Sequence, residues 1–316
     1  MEGFLMKKAL ILVSIKDTQL EYLRAKYPTV EFTTDASDYL DAEIILGWKI
    51  SQADELLKSR KLKWVQSKSA GVDYFPLEEF AKRNIKLTTA SGLHSRYIAE
   101  TVAAYLLIEN RGLRPIIKNP GAWDEPEVYE TSEQTALIFG TGNIGKEIAR
   151  YCHFFEMKTI GVNRHGADAG LADDFDKVIT MDDFESAKEK YNADYVINIL
   201  PGTKYTNGFF NKNKLEKIKP GYSFINVGRG TSVVTSDLTQ LLSDDYVKSA
   251  YLDVFEEEPL KKDSPLWYSP KIIATPHISG LMAHFKDTFV PLFDDNLEKY
   301  LADKPLHNLV DLDAGY

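Results

Sequence analysis

ALIFGTGNIGKEIAR, residues 136–150, is the stretch on which the reading of the chain turns. An apolar run, Ala136–Phe139, ends in a glycine, and helical spacing begins a few residues later. Gly140, Gly142 and Gly145 form the pattern GxGxxG between them. Alone the pattern is weak. Directly after a strand and opening a helix, it sits where a dinucleotide-binding βαβ unit needs it. Gly140 permits a tight turn, Gly142 lets backbone approach a pyrophosphate, and Gly145 lets helix and strand pack closely. Amides at the helix start then face the phosphate charge. Thr141, Asn143 and Ile144 complete the loop and are candidate cofactor-binding residues with the three glycines. A glycine-rich turn with no ligand is the plainer alternative.

Outward from this loop, short apolar strands alternate with amphipathic helices. Upstream, strands are expected at Ala9–Ile15, Ala42–Trp48, Trp64–Ser67 and Ile85–Thr88, with helices such as Thr18–Lys26 and Gln52–Ser59 between them. A longer helix, about His94–Arg111, precedes a turn-rich connection at Arg114–Glu133. Downstream, strands are expected at Thr135–Phe139, Thr159–Val162, Tyr195–Leu200, Ser223–Val227, Ser249–Val254 and Ile272–Ala274. This alternation predicts parallel sheets covered by helices on both faces. A last helix, about Leu281–Leu301, is expected to return the chain to the first unit. The expected division is therefore residues 1–100 with 287–316 as one domain, and 101–286 as a second one inserted in it.

Composition agrees. At roughly 100–200 residues per domain, 316 residues suggest two domains. Apolar residues at 44% and charged residues at 27% are ordinary for a globular chain. Thirty-eight basic against 47 acidic side chains leave a net charge of −9, which argues against a nucleic-acid or anionic-membrane role. No stretch approaches the ~20 apolar residues that span a bilayer. The N-terminal apolar run is short and ends at Lys16-Asp17, so it reads as a strand rather than a signal peptide. One cysteine, Cys152, forms no disulfide within the chain, which fits a cytoplasmic setting. No Cys/His spacing suggests a metal.

Chemistry-bearing residues fall at strand ends. The segment IGVNRHG, residues 160–166, stands where the adenosine ribose is read in such folds. It offers Asn163 and Arg164 and no carboxylate. A carboxylate would repel a 2′-phosphate, whereas a guanidinium can bind it, so NADP is favoured over NAD. Arg164 as a solvated loop charge, or stacked on adenine, stays open. Further on, FINVGRGTSVV carries Arg229, YLDVFEEEPL carries Glu258, and ATPHISG carries His277. Each follows a predicted parallel strand, on the edge where ligands bind in open α/β sheets. Singly, each reads as well as a turn charge, a solvated acidic run or a surface histidine.

In this order, Arg, Glu and His downstream of GTGNIG resemble the D-isomer-specific 2-hydroxyacid dehydrogenases. SAGVDYF at 69–75, SGLHSRYIAE at 91–100, NILPGT at 198–203 and DNLEKYL at 295–301 extend the resemblance over nearly the whole chain. It implies an α/β fold of two flavodoxin/Rossmann-like domains with parallel sheets and a cleft between them. It also implies a homodimer, built on the long helix and the connection after it, that reversibly reduces small 2-keto acids with NAD(P)H. Glyoxylate, hydroxypyruvate or a branched 2-keto acid are the candidate substrates.

The chemistry asks for these residue types. Hydride adds to the keto carbon and charge develops on its oxygen, so an acid must protonate it. His277 is the candidate, and such transfer is worth about 10²–10⁴-fold. A neighbouring carboxylate, Glu258, holds the ring and stabilises its positive charge. Arg229 binds the substrate carboxylate and polarises the carbonyl. By resemblance, amides of Ala70 and Gly71 grip the same carboxylate. Leu200, Pro201 and Val227 line the cofactor, and Asp253 contacts its carboxamide. A strand-end cap is the alternative for Asp253, and His94 reads equally as pocket or structural. Two other functions stay open: a non-catalytic dinucleotide sensor, and the phosphoglycerate dehydrogenase of serine synthesis. Glutamate at 258 argues against the formate dehydrogenase branch, which usually has glutamine there.

Overall fold

A computed structural model describes residues 6–121, 123–167, 171 and 173–316. It divides into two compact units, one reaching to Leu93 and resuming from Met282 to Tyr316, the other running from His94 to Leu281.

The first unit holds five parallel strands: β1 (Lys7–Ile11), β2 (Val30–Thr33), β3 (Ile44–Leu46), β4 (Trp64–Gln66) and β5 (Lys86–Thr88), in the order β2-β1-β3-β4-β5. Successive side chains of a strand face opposite sides. Accordingly Ala9 and Ile11 join one apolar cluster with Phe289, Phe293 and Leu297 of helix Phe285–Leu301, while Leu10 joins another with Trp48 and Phe80. The C-terminal tail closes against β5. Thr88 bridges Leu309, and the amides of Thr89 and Val310 donate to Asn308 and Leu87 carbonyls at 3.0 and 2.9 Å.

The second unit holds seven parallel strands: β6 (Thr135–Phe139), β7 (Lys158–Asn163), β8 (Lys177–Thr180), β9 (Tyr195–Asn198), β10 (Tyr222–Asn226), β11 (Val247–Leu252) and β12 (Ile272–Ala274). Their order is β12-β11-β10-β9-β6-β7-β8, all strands running the same way, with the order of winding reversing between β6 and β9. Leu137 and Phe139 face one cluster, Ala136 and Ile138 the other. Cys152 lies fully buried in the second of these, and burial pushes its thiol up to about 12.

Two strands, β2 and β8, were not foreseen. Each has four residues at a sheet edge, and in β2 only Val30 and Phe32 are buried, so the period-2 signal is too short to stand out. The unit boundaries also differ from those expected. Helix Ser95–Asn110 belongs entirely to the second unit, because Ile98, Val102 and Tyr105 pack with Ile148 and Cys152 of helix Asn143–Phe154. Helical periodicity shows which face is buried but not against what.

That long helix also buries a carboxylate. Glu109, only 4% exposed, accepts from Arg114 Nε and the Tyr251 hydroxyl at 2.8 Å and from Ser249 at 2.9 Å, with Lys248 Nζ at 3.1 Å. Burial alone pushes its pKa up. The Arg114 hydrogen bond and the charges of Lys248 and Arg114 outweigh that and hold it at about 2. A pKa lowered on folding stabilises the fold above the unfolded value and is lost as pH falls through the folded one. The shift corresponds to about 3 kcal/mol. Urea unfolding should therefore show stability declining from about pH 5 towards 2, with a shallower decline and a lower pH 7 value for Glu109→Gln. Equal slopes would contradict this.

Candidate active site

The glycine loop follows β6. Gly140 has φ +110°, open to glycine and strained for other residues. A Cβ on Gly145 would stand 2.1 Å from the Gly140 carbonyl oxygen, so only glycine lets this helix meet this strand. Gly142 differs: a Cβ there meets nothing within 4 Å. The chain's own packing does not require that glycine, whereas a ligand approaching the backbone does. Gly142 caps helix Asn143–Phe154, whose first turn carries Asn143, Ile144 and Gly145. These residues fit the pyrophosphate of a dinucleotide, since both the backbone approach and the helix start are in place.

At the end of β7, Asn163 shapes the next loop. Its Oδ1 accepts from the amides of His165 and Gly166 at 2.9 and 2.6 Å, and its Nδ2 donates to Thr141 Oγ1 at 2.8 Å. Its carboxamide is thus committed to the turn that presents Arg164, which is exposed. Thr141 is nearly buried, packed on Gly161.

Strands β9, β10, β11 and β12 are parallel neighbours, so their C-terminal ends share one edge. Leu200 and Pro201 follow β9, Val227 and Arg229 follow β10, Asp253 and Glu258 follow β11, and His277 follows β12. Two buried asparagines, Asn198 and Asn226, organise the first two turns. Asn198 accepts from the Leu200 amide at 3.0 Å and donates to Asn226 Oδ1 at 2.8 Å and Ser232 Oγ at 2.6 Å. Asn226 and Ser232 in turn donate to the Arg229 carbonyl, at 3.2 and 2.6 Å. Arg229 Nη1 donates to the Gly228 carbonyl at 3.0 Å, and the side chain is half-buried.

The Arg229 turn rests on the loop after β11. A Cβ on Gly230 would fall 1.9 Å from the carbonyl carbon and oxygen of Phe255. The Phe255 amide donates to Glu258 Oε1 at 3.0 Å, and Glu258 Oε2 meets His277 Nδ1 at 2.7 Å. One carboxylate oxygen therefore holds its own loop and the other orients the imidazole. With Nδ1 engaged, Nε2 is the nitrogen left to exchange a proton.

His277 has φ +52°, a left-handed conformation that costs a non-glycine residue energy unless its surroundings impose it. Asp253 imposes it. The His277 amide donates to the Asp253 carbonyl at 2.8 Å. The Asp253 carboxylate accepts from Thr275 Oγ1 at 2.6 Å and from the amides of Ile278 and Ser279 at 2.9 Å. Asp253 is fully buried with both oxygens bonded to the turn. Asp253 thus braces the turn that carries His277, as the strand-end alternative for this residue anticipates. Likewise His94 Nδ1 meets the Gly280 carbonyl at 2.8 Å, a structural tie.

Arg229, Glu258 and His277 are thus placed by adjoining turns of one sheet edge, whereas Ala70 and Gly71 belong to the first unit, in the turn after β4. Asn198, Asn226, Ser232 and Thr275 went unnoticed in the sequence. The signal for the asparagines was there: a carboxamide where a fully buried strand calls for an apolar residue.

A parallel sheet with a glycine loop at the switch point, and a His–Glu pair and an arginine farther along the same edge, is the arrangement expected of a dinucleotide-dependent oxidoreductase. The comparisons narrow this. The model of the D-isomer specific 2-hydroxyacid dehydrogenase NAD-binding domain matches residues 115–279. Glyoxylate/hydroxypyruvate reductase B of Citrobacter koseri is 31% identical over 304 residues, covering 93% of this chain and 90% of that protein. The crystal structure of phosphoglycerate dehydrogenase from Lactobacillus plantarum is 32% identical, with TM-score 0.56, covering 96% of this chain and all of that one. That of NADPH-dependent glyoxylate/hydroxypyruvate reductase from Sinorhizobium meliloti, in complex with NADP and sulfate, is 26% identical, with TM-score 0.80, covering 98% and 100%. The chain belongs to the D-isomer specific 2-hydroxyacid dehydrogenase family and is an NAD(P)-dependent oxidoreductase. Among the described residues no helix is long and apolar enough to cross a membrane.

Proposed function

We propose that this enzyme reduces a small 2-keto acid of the glyoxylate or hydroxypyruvate kind with NADPH, using His277 as the acid. The observation that carries the reading is the 2.7 Å contact of Glu258 Oε2 with His277 Nδ1, on the loop against which the Arg229 turn is seated. The nicotinamide supplies the hydride when bound. Gly140, Thr141, Gly142, Asn143, Ile144 and Gly145 hold the pyrophosphate end, while Leu200, Pro201 and Val227 flank the dinucleotide along the edge. Arg229 pairs with the substrate carboxylate and draws charge toward the keto oxygen, which stays favourable throughout because guanidinium does not lose its proton. His277 Nε2 delivers a proton to that oxygen, and Glu258 keeps the ring aimed and stabilises its charge. In the first unit, the Ala70 and Gly71 amides hold the carboxylate. In the reverse direction His277 accepts the proton.

NADPH is favoured by exposed Arg164, in a segment (residues 160–166) whose sequence carries no carboxylate, and by the NADP held in the S. meliloti relative. A homodimer is supported by exposed apolar side chains on and after the long helix: Leu107, Leu113, Ile116, Ile117, Trp123 and Val128. A cytoplasmic setting is supported by the single cysteine being buried and unpaired. Phosphoglycerate dehydrogenase activity is the second reading, on the likeness to the L. plantarum enzyme.

One panel tests these points: glyoxylate, hydroxypyruvate, branched 2-keto acids and 3-phosphohydroxypyruvate, each with NADPH and NADH, on wild type and Arg164→Ala. Wild type should prefer NADPH, and R164A should lose roughly 10- to 100-fold in kcat/KM for NADPH with little change for NADH, as expected for one charge-assisted contact. A wild type that prefers NADH overturns the cofactor assignment, and one turning over only the phosphorylated acid selects the second reading. Sedimentation of the same preparation should give twice the mass of the 35.8 kDa chain.

A further inference from the structure

The loop that would meet the substrate carboxylate is SAGVDYF, residues 69–75. Amides bind an anion well only when their peptide planes are fixed in advance, because ordering them on binding costs affinity. What fixes them here is a cluster of three hydroxyls. Tyr74 Oη lies 2.5 Å from Ser69 Oγ, and Ser69 Oγ donates to the Gly71 carbonyl at 3.1 Å. With that proton committed, Ser69 Oγ accepts from Tyr74. Buried Ser67 stands behind both. Its Oγ accepts from the Ser69 amide at 3.1 Å and lies 3.1 Å from Ser69 Oγ and 3.3 Å from Tyr74 Oη.

Peptide geometry shows what this achieves. The Ser69 carbonyl accepts from the Ala90 amide at 3.0 Å, which fixes the plane carrying the Ala70 N–H. The N–H is trans to that carbonyl and so is turned away from Ala90. The Ser69 hydroxyl fixes the next plane but one through the Gly71 carbonyl. The plane between them, carrying the Gly71 N–H, is therefore constrained from both sides, and both constraints come from Ser69. Without a hydroxyl at 69, the Gly71 carbonyl loses its donor and Tyr74 its nearer partner, keeping only Ser67 Oγ at 3.3 Å among the three hydroxyls.

We infer that Ser69, oriented by Tyr74, is a positioning residue for substrate: the Tyr74–Ser69–Gly71 relay presets the Ala70 and Gly71 amides for the carboxylate of the 2-keto acid. The inference rests on the proposed assignment of those amides. It acts on the acid and not on the dinucleotide, so it predicts a split among kinetic constants.

Ser69→Ala should raise KM for the preferred 2-keto acid about tenfold, leaving KM for NADPH within twofold and kcat within about threefold. Tyr74→Phe, nearly isosteric, should give part of the same rise. Ser69→Thr, which keeps the hydroxyl, should restore the wild-type value. The double variant Ser69→Ala/Tyr74→Phe should be no worse than Ser69→Ala, because both remove one relay. Melting temperatures show whether each variant folds, and Tyr74→Phe carries the test if Ser69→Ala does not. A KM for the acid unchanged in Ser69→Ala and Tyr74→Phe overturns the inference, as does an equal rise in KM for NADPH. A wild type with no turnover on any 2-keto acid instead overturns the proposed function, so the two failures are distinguishable.

Discussion

His277→Gln should lower kcat by about 10²–10⁴-fold, the usual worth of a positioned proton donor. Glutamine is of similar reach and its amide can still donate to Glu258 Oε2, now met by His277 Nδ1 at 2.7 Å, so the loop should keep its path. What disappears is the imidazole that would give and take the proton. KM for NADPH should stay near the wild-type value, because the glycine loop after β6 does not involve His277. Steady-state kinetics with a 2-keto acid at saturating NADPH reads the first quantity, and fluorescence titration of the cofactor reads the second. Turnover retained within a few-fold would remove His277 from the acid role.

Gly230→Ala should damage fold and activity together, and Gly142→Ala should separate them. The added carbon at 230 falls 1.9 Å from the backbone of Phe255, and neither side is a side chain that can rotate aside. Overpacking of this kind costs typically 1–3 kcal/mol, occasionally more, which for a unit of this size lowers Tm by roughly 2–12 °C. The relaxation must push the Arg229 turn away from the loop that holds Glu258, so kcat/KM should fall by about 100-fold, in keeping with the sensitivity of catalysis to ångström misplacements. At Gly142 the added carbon meets no protein atom within 4 Å, so Tm should hold while affinity for NADPH drops. Scanning calorimetry with and without NADPH measures both. If Gly142→Ala binds NADPH as the wild type does, the pyrophosphate lies elsewhere.

The acidic run after β11 shows where legibility in the sequence ends. Glu256, Glu257 and Glu258 are chemically alike and adjacent, and only the family resemblance singled out the third. In the folded chain they part ways. Glu256 accepts from the Thr235 amide at 3.0 Å, Glu257 pairs with Lys261 at 3.2 Å, and Glu258 takes His277. In irregular backbone no period tells which way a side chain faces; that depends on the path of the loop and on what lies opposite. Asp253 teaches the same lesson: its place at a strand end was visible, but not that the next strand's turn would close over it and use both oxygens.

By itself the amino-acid order determined the alternation of strands and helices, the parallel sheets that follow from it, the glycine loop after β6, and the strand ends on which Arg229, Glu258 and His277 sit. These are local properties: spacing of apolar residues, backbone freedom at a turn, and the rule that parallel strands end on one side. Tertiary structure alone decided that β2 and β8 complete the sheet edges, that the helix after Leu93 belongs to the second unit, that Asp253 and Asn163 brace turns, and that Ser69 joins Tyr74 to the Gly71 carbonyl. Each of these depends on which surfaces meet when distant segments pack, and that meeting is not encoded in any window of neighbouring residues.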